Sequence, residues 1–279
     1  RDYYASRGLG DVYKRQVVGR FTGSQALAAV GSTTALINIF TNLFIGISLG
    51  ANVLAARFYA SGKEKEMSET VHTSITLALI SGLVMALAGV LLARFALNLM
   101  GTPNDVIDQS VLYMRIYFLG MPFFMLYNYG AAILRAVGDT KRPLFFLVIS
   151  GMTNAVLNLV LVIVFHMGVA GVAIGTIVSQ LISSILVLRC LYTSNTSYRL
   201  YFSKLGIKTQ YLKQIFQVGI PAGIQSTVIN LSNALVQSSV NSFGSVAMAG
   251  YTAANNIFGF LYMSCLLYTS DAADDRISV

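Results

Sequence analysis

The chain has 279 residues, 55% hydrophobic and 11% charged, with a formal charge of +8 and a mean hydropathy of +0.67. Soluble domains carry about 25% charged residues, so this composition excludes a water-soluble enzyme and indicates an integral membrane protein. The apolar runs suit membrane-crossing helices of about 20 residues rather than barrel strands, and the positive charge reads as basic loops rather than a nucleic-acid surface.

The chain in order begins with a segment set apart from the fold. DVYKRQ (Asp11 to Gln16) and CLLYTSDAAD (Cys265 to Asp274) both back-translate to the end sequence used in transposase-based DNA library preparation. Residues 1–16 and 265–279 are therefore expected to be translated adapter, not native, and the authentic portion is expected to be Val17 to Ser264, truncated at both ends. Ala26 to Arg57 is a long span dotted with Gly and small polar residues, and Arg57 to Glu69 follows as a charged loop. Val71 to Leu97 is the next span, then a turn at Asn98 to Gln109. Ser110 to Ala136 carries Pro122, which predicts a kink, because proline lacks the N–H its helix needs.

The next stretch is the most informative. Pro143 to Phe165 and Val169 to Leu188 form a pair of spans, and no Lys, Arg, Asp or Glu lies between Arg142 and Arg189. The first span holds Asn154 and Asn158, one helical turn apart, and the second holds Thr176. Such amides in hydrocarbon either hydrogen-bond between helices or face a site that binds a cation or substrate. Thr176 has the further option of bonding its own backbone. Arg189 to Lys213 is a basic connection, within which Tyr211 to Val218 is expected to form a short interfacial helix. Gly219 to Asn241 is a span opened by Pro221. Its Gln225, Asn230, Asn233 and Gln237 are expected to line a cavity. A last span starts at Ala247.

Lys and Arg collect in alternate connections, at 57–69, 135–142 and 189–213, which predicts that these are cytoplasmic. GSQALAAV (Gly23 to Val30) aligns with GSVAMAGY (Gly244 to Tyr251), each opening a span in the same orientation, which suggests two parallel repeats with substrate held between them. Cys190 and Cys265 suggest neither a disulfide framework nor a metal centre. No acidic cluster for Mg²⁺ and no phosphate-binding GxxxxGK[ST] loop occurs, which argues against a membrane transferase and against ATP driving by this chain. A channel is disfavoured by the lack of a filter-like loop.

VGRFTGSQALAAVG, GISLGANVLAARFYASGK, LRAVGDTKRPLFFLVISGMTNAVLNLVLV, GVAGVAIGTIVSQ and GIPAGIQS, in this order, resemble the MATE (multidrug and toxic compound extrusion) transporters of the bacterial type. The resemblance implies an all-α, polytopic, two-lobe bundle of parallel six-helix repeats, of which about seven of twelve spans are present here. It places the N-terminal lobe at 17–190, a basic linker at 191–216 and the start of the C-terminal lobe at 217–264. It implies a monomeric antiporter of the cell membrane that exports organic cations or other amphipathic compounds in exchange for Na⁺ or H⁺, with no other cofactor. The alternatives are a flippase for lipid-linked oligosaccharides from the same superfamily, which would want a more cationic cavity, and a fragment that does not transport. Relatives with a cation site in the first lobe build it from an Asp in the first helix, an Asn and an Asp in the fifth, and a Thr in the sixth. Asn154 and Thr176 match that pattern and imply a possible Na⁺ position, while Asn158 stands where the Asp is common. The acids between Val17 and Ser264 are Glu64, Glu66, Glu69, Asp105, Asp108 and Asp139, all expected in loops.

Overall fold

A computed structural model describes residues 24–99 and 106–241. The described residues fall into two compact units, divided after Thr227. All regular structure among the described residues is helical: α1 (Ser24–Ala60), α2 (Glu64–Leu99), α3 (Ile107–Leu119), α4 (Met121–Ala136), α5 (Lys141–Leu159), α6 (Gly168–Thr193) and α7 (Thr209–Asn241). A π-helical turn, Val160–Val164, extends α5, and a 3₁₀ turn, Phe202–Lys204, interrupts the connection to α7.

Four described helical stretches are long and apolar enough to cross a membrane: Phe40–Ala60, Glu64–Leu99, Lys141–Val164 and Gly168–Thr193. The pair α3 and α4 makes a fifth if read as one span bent by 46°. The bend falls at Gly120, just before Pro122, where the proline ring lacks the donor that would continue the ladder. The expected span Gly219 to Asn241 lies within α7, and the one beginning at Ala247 lies outside the described residues.

Burial follows a membrane protein's pattern. On α2, Leu83, Leu87, Leu91 and Phe95 form an exposed apolar stripe at four-residue spacing, while Met67, Val71, Ile75 and Ala78 are buried. The core joins these to Met125, Tyr129 and Ile133 of α4 and Val187 and Leu191 of α6. Polar side chains in this core bond backbone carbonyls: Asn52 Nδ2 donates to Ala132 O at 2.6 Å, and Tyr127 Oη to Pro143 O at 3.0 Å. α1 and α7 cross where Gly46 and Gly50 meet Gly219 and Gly223; a Cβ on Gly46 would overlap the Gly223 Cα. Both helices carry the GxxxG spacing, and the missing side chains let the two backbones touch.

Several expected boundaries shift. The loop expected at 57–69 shrinks to residues 61–63, because α1 runs on to Ala60 and α2 starts at Glu64. Glu64, Glu66 and Glu69 are thus helical rather than in a loop, with Glu64 and Glu66 in the first turn, where acids complement the helix dipole. Asp108 likewise sits in the first turn of α3. The connection expected at 189–213 is non-helical only between Thr193 and Thr209, apart from its 3₁₀ turn. Tyr211 to Val218 is no separate interfacial helix but the start of α7, with Pro221 inside the same helix.

The connection after α6 is clasped to α2. Leu200 is buried, and its N–H bonds Leu191 O at 3.1 Å. The Tyr201 N–H donates to His72 Nε2 at 3.0 Å, and the two rings stack. Lys208 N–H donates to Thr73 Oγ1 at 3.3 Å. His72 Nδ1 lies 2.6 Å from Ser68 O. A carbonyl can only accept, so Nδ1 carries the hydrogen and Nε2 is the bare acceptor.

Candidate functional site

α5 and α6 pack as a pair, joined by the turn after the π-helical segment, in which His166 has a positive φ of 52°. Their apolar faces leave one polar seam. Ser150, Asn154 and Asn158 recur every four residues on α5, and Gly175, Thr176 and Ser179 face them from α6. Each of the polar side chains is buried, Asn158 at 1% exposure.

The hydrogen bonds run along the seam. Asn158 Nδ2 donates to Asn154 Oδ1 at 3.0 Å. Asn154 Nδ2 reaches across to Thr176 Oγ1 at 3.4 Å and Ser179 Oγ at 3.3 Å, both long for such bonds. Thr176 and Ser179 spend their own hydrogens on Val172 O and Thr176 O, at 2.9 and 2.8 Å. Ser150 Oγ donates to Ser179 O at 2.6 Å, the shortest link between the two helices here.

One atom is left over. Asn158 Oδ1 is buried without a hydrogen-bond partner. It rests over Gly175, where a Cβ would overlap it. Leaving a buried acceptor unmet costs about 1–3 kcal/mol, so a ligand that offers a positive charge or a hydrogen there gains what the protein forgoes. The seam consists of amides and hydroxyls, so it offers oxygen ligands and hydrogen bonds but no group that titrates near neutral pH.

The structure thus brings Asn154, Asn158 and Thr176 together; the four-residue spacing predicts this for the two asparagines, and the family resemblance implies Thr176. Sequence reasoning missed Ser150, Ser179 and the role of Gly175. The signal was present: Ser150 continues the four-residue rhythm of the two asparagines, and Ser179 sits one turn beyond Gly175. Gln225 lies on α7 with its side chain exposed. α7 also carries Asn230, Asn233 and Gln237, whose side chains lie outside the described residues.

The MatE family model matches residues 15–160. The chain belongs to the MATE family. This is a transporter family, and with the apolar helices it makes the protein a multi-pass membrane protein. Among curated relatives, "Probable multidrug resistance protein YoeA" of Bacillus subtilis (strain 168) is 33% identical over 266 residues, covering 92% of this chain and 57% of that protein. "Multidrug export protein MepA" of Staphylococcus saprophyticus is 20% identical over 244 residues, covering 88% of this chain and 53% of that protein. The chain therefore spans little more than half the length of these relatives. A structure described as "Crystal structure of MATE in the bent conformation" matches with a TM-score of 0.82 at 22% identity, over 90% of this chain and 56% of that one. That likeness supports the MATE-like helix bundle.

Proposed function

We propose that this chain is the larger part of a cation-coupled exporter that drives organic cations or other amphipathic compounds out across the cell membrane in exchange for Na⁺ or H⁺. On this reading it works as a transporter and not as an enzyme. The family and the export names of its relatives support the class of activity. The observation that carries the mechanism is the buried seam, and within it the unmet Asn158 Oδ1. A transport site must bind and then release, and an acceptor without a resident partner is available for that cycle.

In this account Asn154, Asn158 and Thr176 supply oxygen ligands to a coupling cation or hydrogen bonds to the substrate, and Thr176 and Ser179 hold the Asn154 amide in place. Gln225, Asn230, Asn233 and Gln237 are proposed to line the substrate path on α7. The lobes are proposed as 17–190 and from 217 onward, with 191–216 as the linker. The basic segments 57–69, 135–142 and 189–213, made of helix ends and the turns between them, are proposed to face the cytoplasm, and the protein to work as a monomer. A flippase for lipid-linked oligosaccharides fits less well, because the seam is uncharged.

The test is ethidium transport by the full-length protein in sealed vesicles, with a Na⁺ gradient or a proton gradient imposed in turn. Gradient-driven ethidium movement under one of the two supports the proposal. No movement under either, with protein shown to be folded, contradicts it.

A further inference from the structure

The end of the α5–α6 pair opposite the π-helical turn holds a cavity that shares no residue with the polar seam. This cavity, of about 720 Å³, opens between the start of α5, the end of α6 and the connection that follows. Arg142 and Arg189 line it together with Thr193 and Ser194, and Phe146 and Leu186 form its wall toward the middle of the helices. One end is thus cationic and rich in hydroxyls, and the other is apolar.

The charge is only partly cancelled internally. Arg142 pairs with Asp139, Nε to Oδ2 at 3.3 Å, and its Nη1 donates to Cys190 Sγ at 3.5 Å. Asp139 is the only acid in ion-pair contact with either arginine among the described residues, and Arg189 is left exposed beside it. Guanidinium groups match phosphate oxygens with paired N–H donors, and hydroxyls add neutral donors. A free phosphate would use only the cationic end and leave the Phe146–Leu186 wall without purpose. A phospholipid uses both, with its phosphate at the mouth and the start of its acyl chains along the wall.

We propose that this groove binds the headgroup of an anionic phospholipid from the adjoining leaflet. The inference needs only that α5 and α6 cross a membrane, so it stands or falls separately from the export activity. Basic pockets between spanning helices at a membrane surface hold acidic headgroups by this combination of charge and depth.

Native mass spectrometry of the full-length protein with phosphatidylglycerol, and separately with phosphatidylcholine of the same chains, tests it. Two double variants remove equal charge from the same end of the molecule: Arg142→Gln with Arg189→Gln, inside the groove, and Lys204→Gln with Lys208→Gln, outside it. The expected result is preferential retention of phosphatidylglycerol, weakened on the order of tenfold by the arginine pair and little by the lysine pair. Equal loss in both variants would show diffuse charge attraction and overturn the groove. Equal retention of phosphatidylcholine would overturn the anionic preference. Displacement of phosphatidylglycerol by inorganic phosphate would make this a soluble-anion site and overturn the lipid.

Discussion

His72 and Asn158 are both buried polar side chains on apolar helices, at 4% and 1% exposure, yet they are treated in opposite ways. His72 is fully used: one ring nitrogen bonds Ser68 O, the other takes the Tyr201 N–H, and the ring stacks on Tyr201. Asn158 is half used: its Nδ2 bonds Asn154, and its Oδ1 accepts no hydrogen bond. A satisfied polar group fixes structure, here the path of the connection between α6 and α7. An unsatisfied one carries a cost that a bound donor or cation would offset. Ser74 Oγ, Tyr129 Oη and Arg199 Nε are also buried without a hydrogen-bond partner, so it is the clustering of Asn158 with Asn154 and Thr176 that sets it apart, and on the proposed function it is a site where His72 is a fastening.

The comparison is sharpened first at Gly175. Gly175→Ala places a methyl group where Asn158 Oδ1 now rests, so the amide must turn away from α6. Ethidium transport by the full-length protein is expected to fall several-fold. Adding Asn158→Ala to Gly175→Ala is expected to cost little more, because the two changes disable the same group. Independent, multiplying losses would show that Gly175 acts elsewhere.

The next effect belongs to the fastening. His72→Leu keeps the bulk but leaves the Tyr201 N–H without its acceptor. Stability is expected to drop by about 1 kcal/mol, read as a lower Tm, with faster proteolysis between Thr193 and Thr209. Transport per folded molecule is expected to be unchanged. Ser150→Ala should have the smallest effect. It removes the 2.6 Å bond to Ser179 O, and single interhelical hydrogen bonds in membranes contribute about 0.6 kcal/mol. A Tm shift larger than that of His72→Leu would contradict this ranking.

Much of the fold was legible because hydrocarbon imposes long apolar runs, and the kink at Pro122 and the pairing of α5 with α6 follow from residues that can be read directly. Helix ends were less legible. Glu64 to Glu69 looks like a loop by charge, yet acids at a helix N-terminus complement its dipole, and α2, at 36 residues, is longer than an apolar span needs. α7 runs through the segment expected to be a separate interfacial helix, because Pro221 is tolerated within this helix rather than starting one. At the site, Asn154, Asn158 and Thr176 stood out as polar residues in apolar runs. Ser150 and Ser179 did not, since serine in a membrane helix usually bonds its own backbone. The orphaned oxygen of Asn158 was not legible at all, because it depends on which way one amide faces across the helix pair. His72 gave no sequence signal either, since its partner lies far along the chain in an irregular connection.

The most direct measurement is gradient-driven ethidium transport by Asn158→Leu and His72→Leu side by side in the full-length protein, each with its Tm. The account predicts that Asn158→Leu keeps a Tm close to the unaltered protein but loses transport, while His72→Leu loses Tm but transports normally per folded molecule. Transport at the unaltered rate in Asn158→Leu would contradict it and return the α5–α6 seam to a purely structural role.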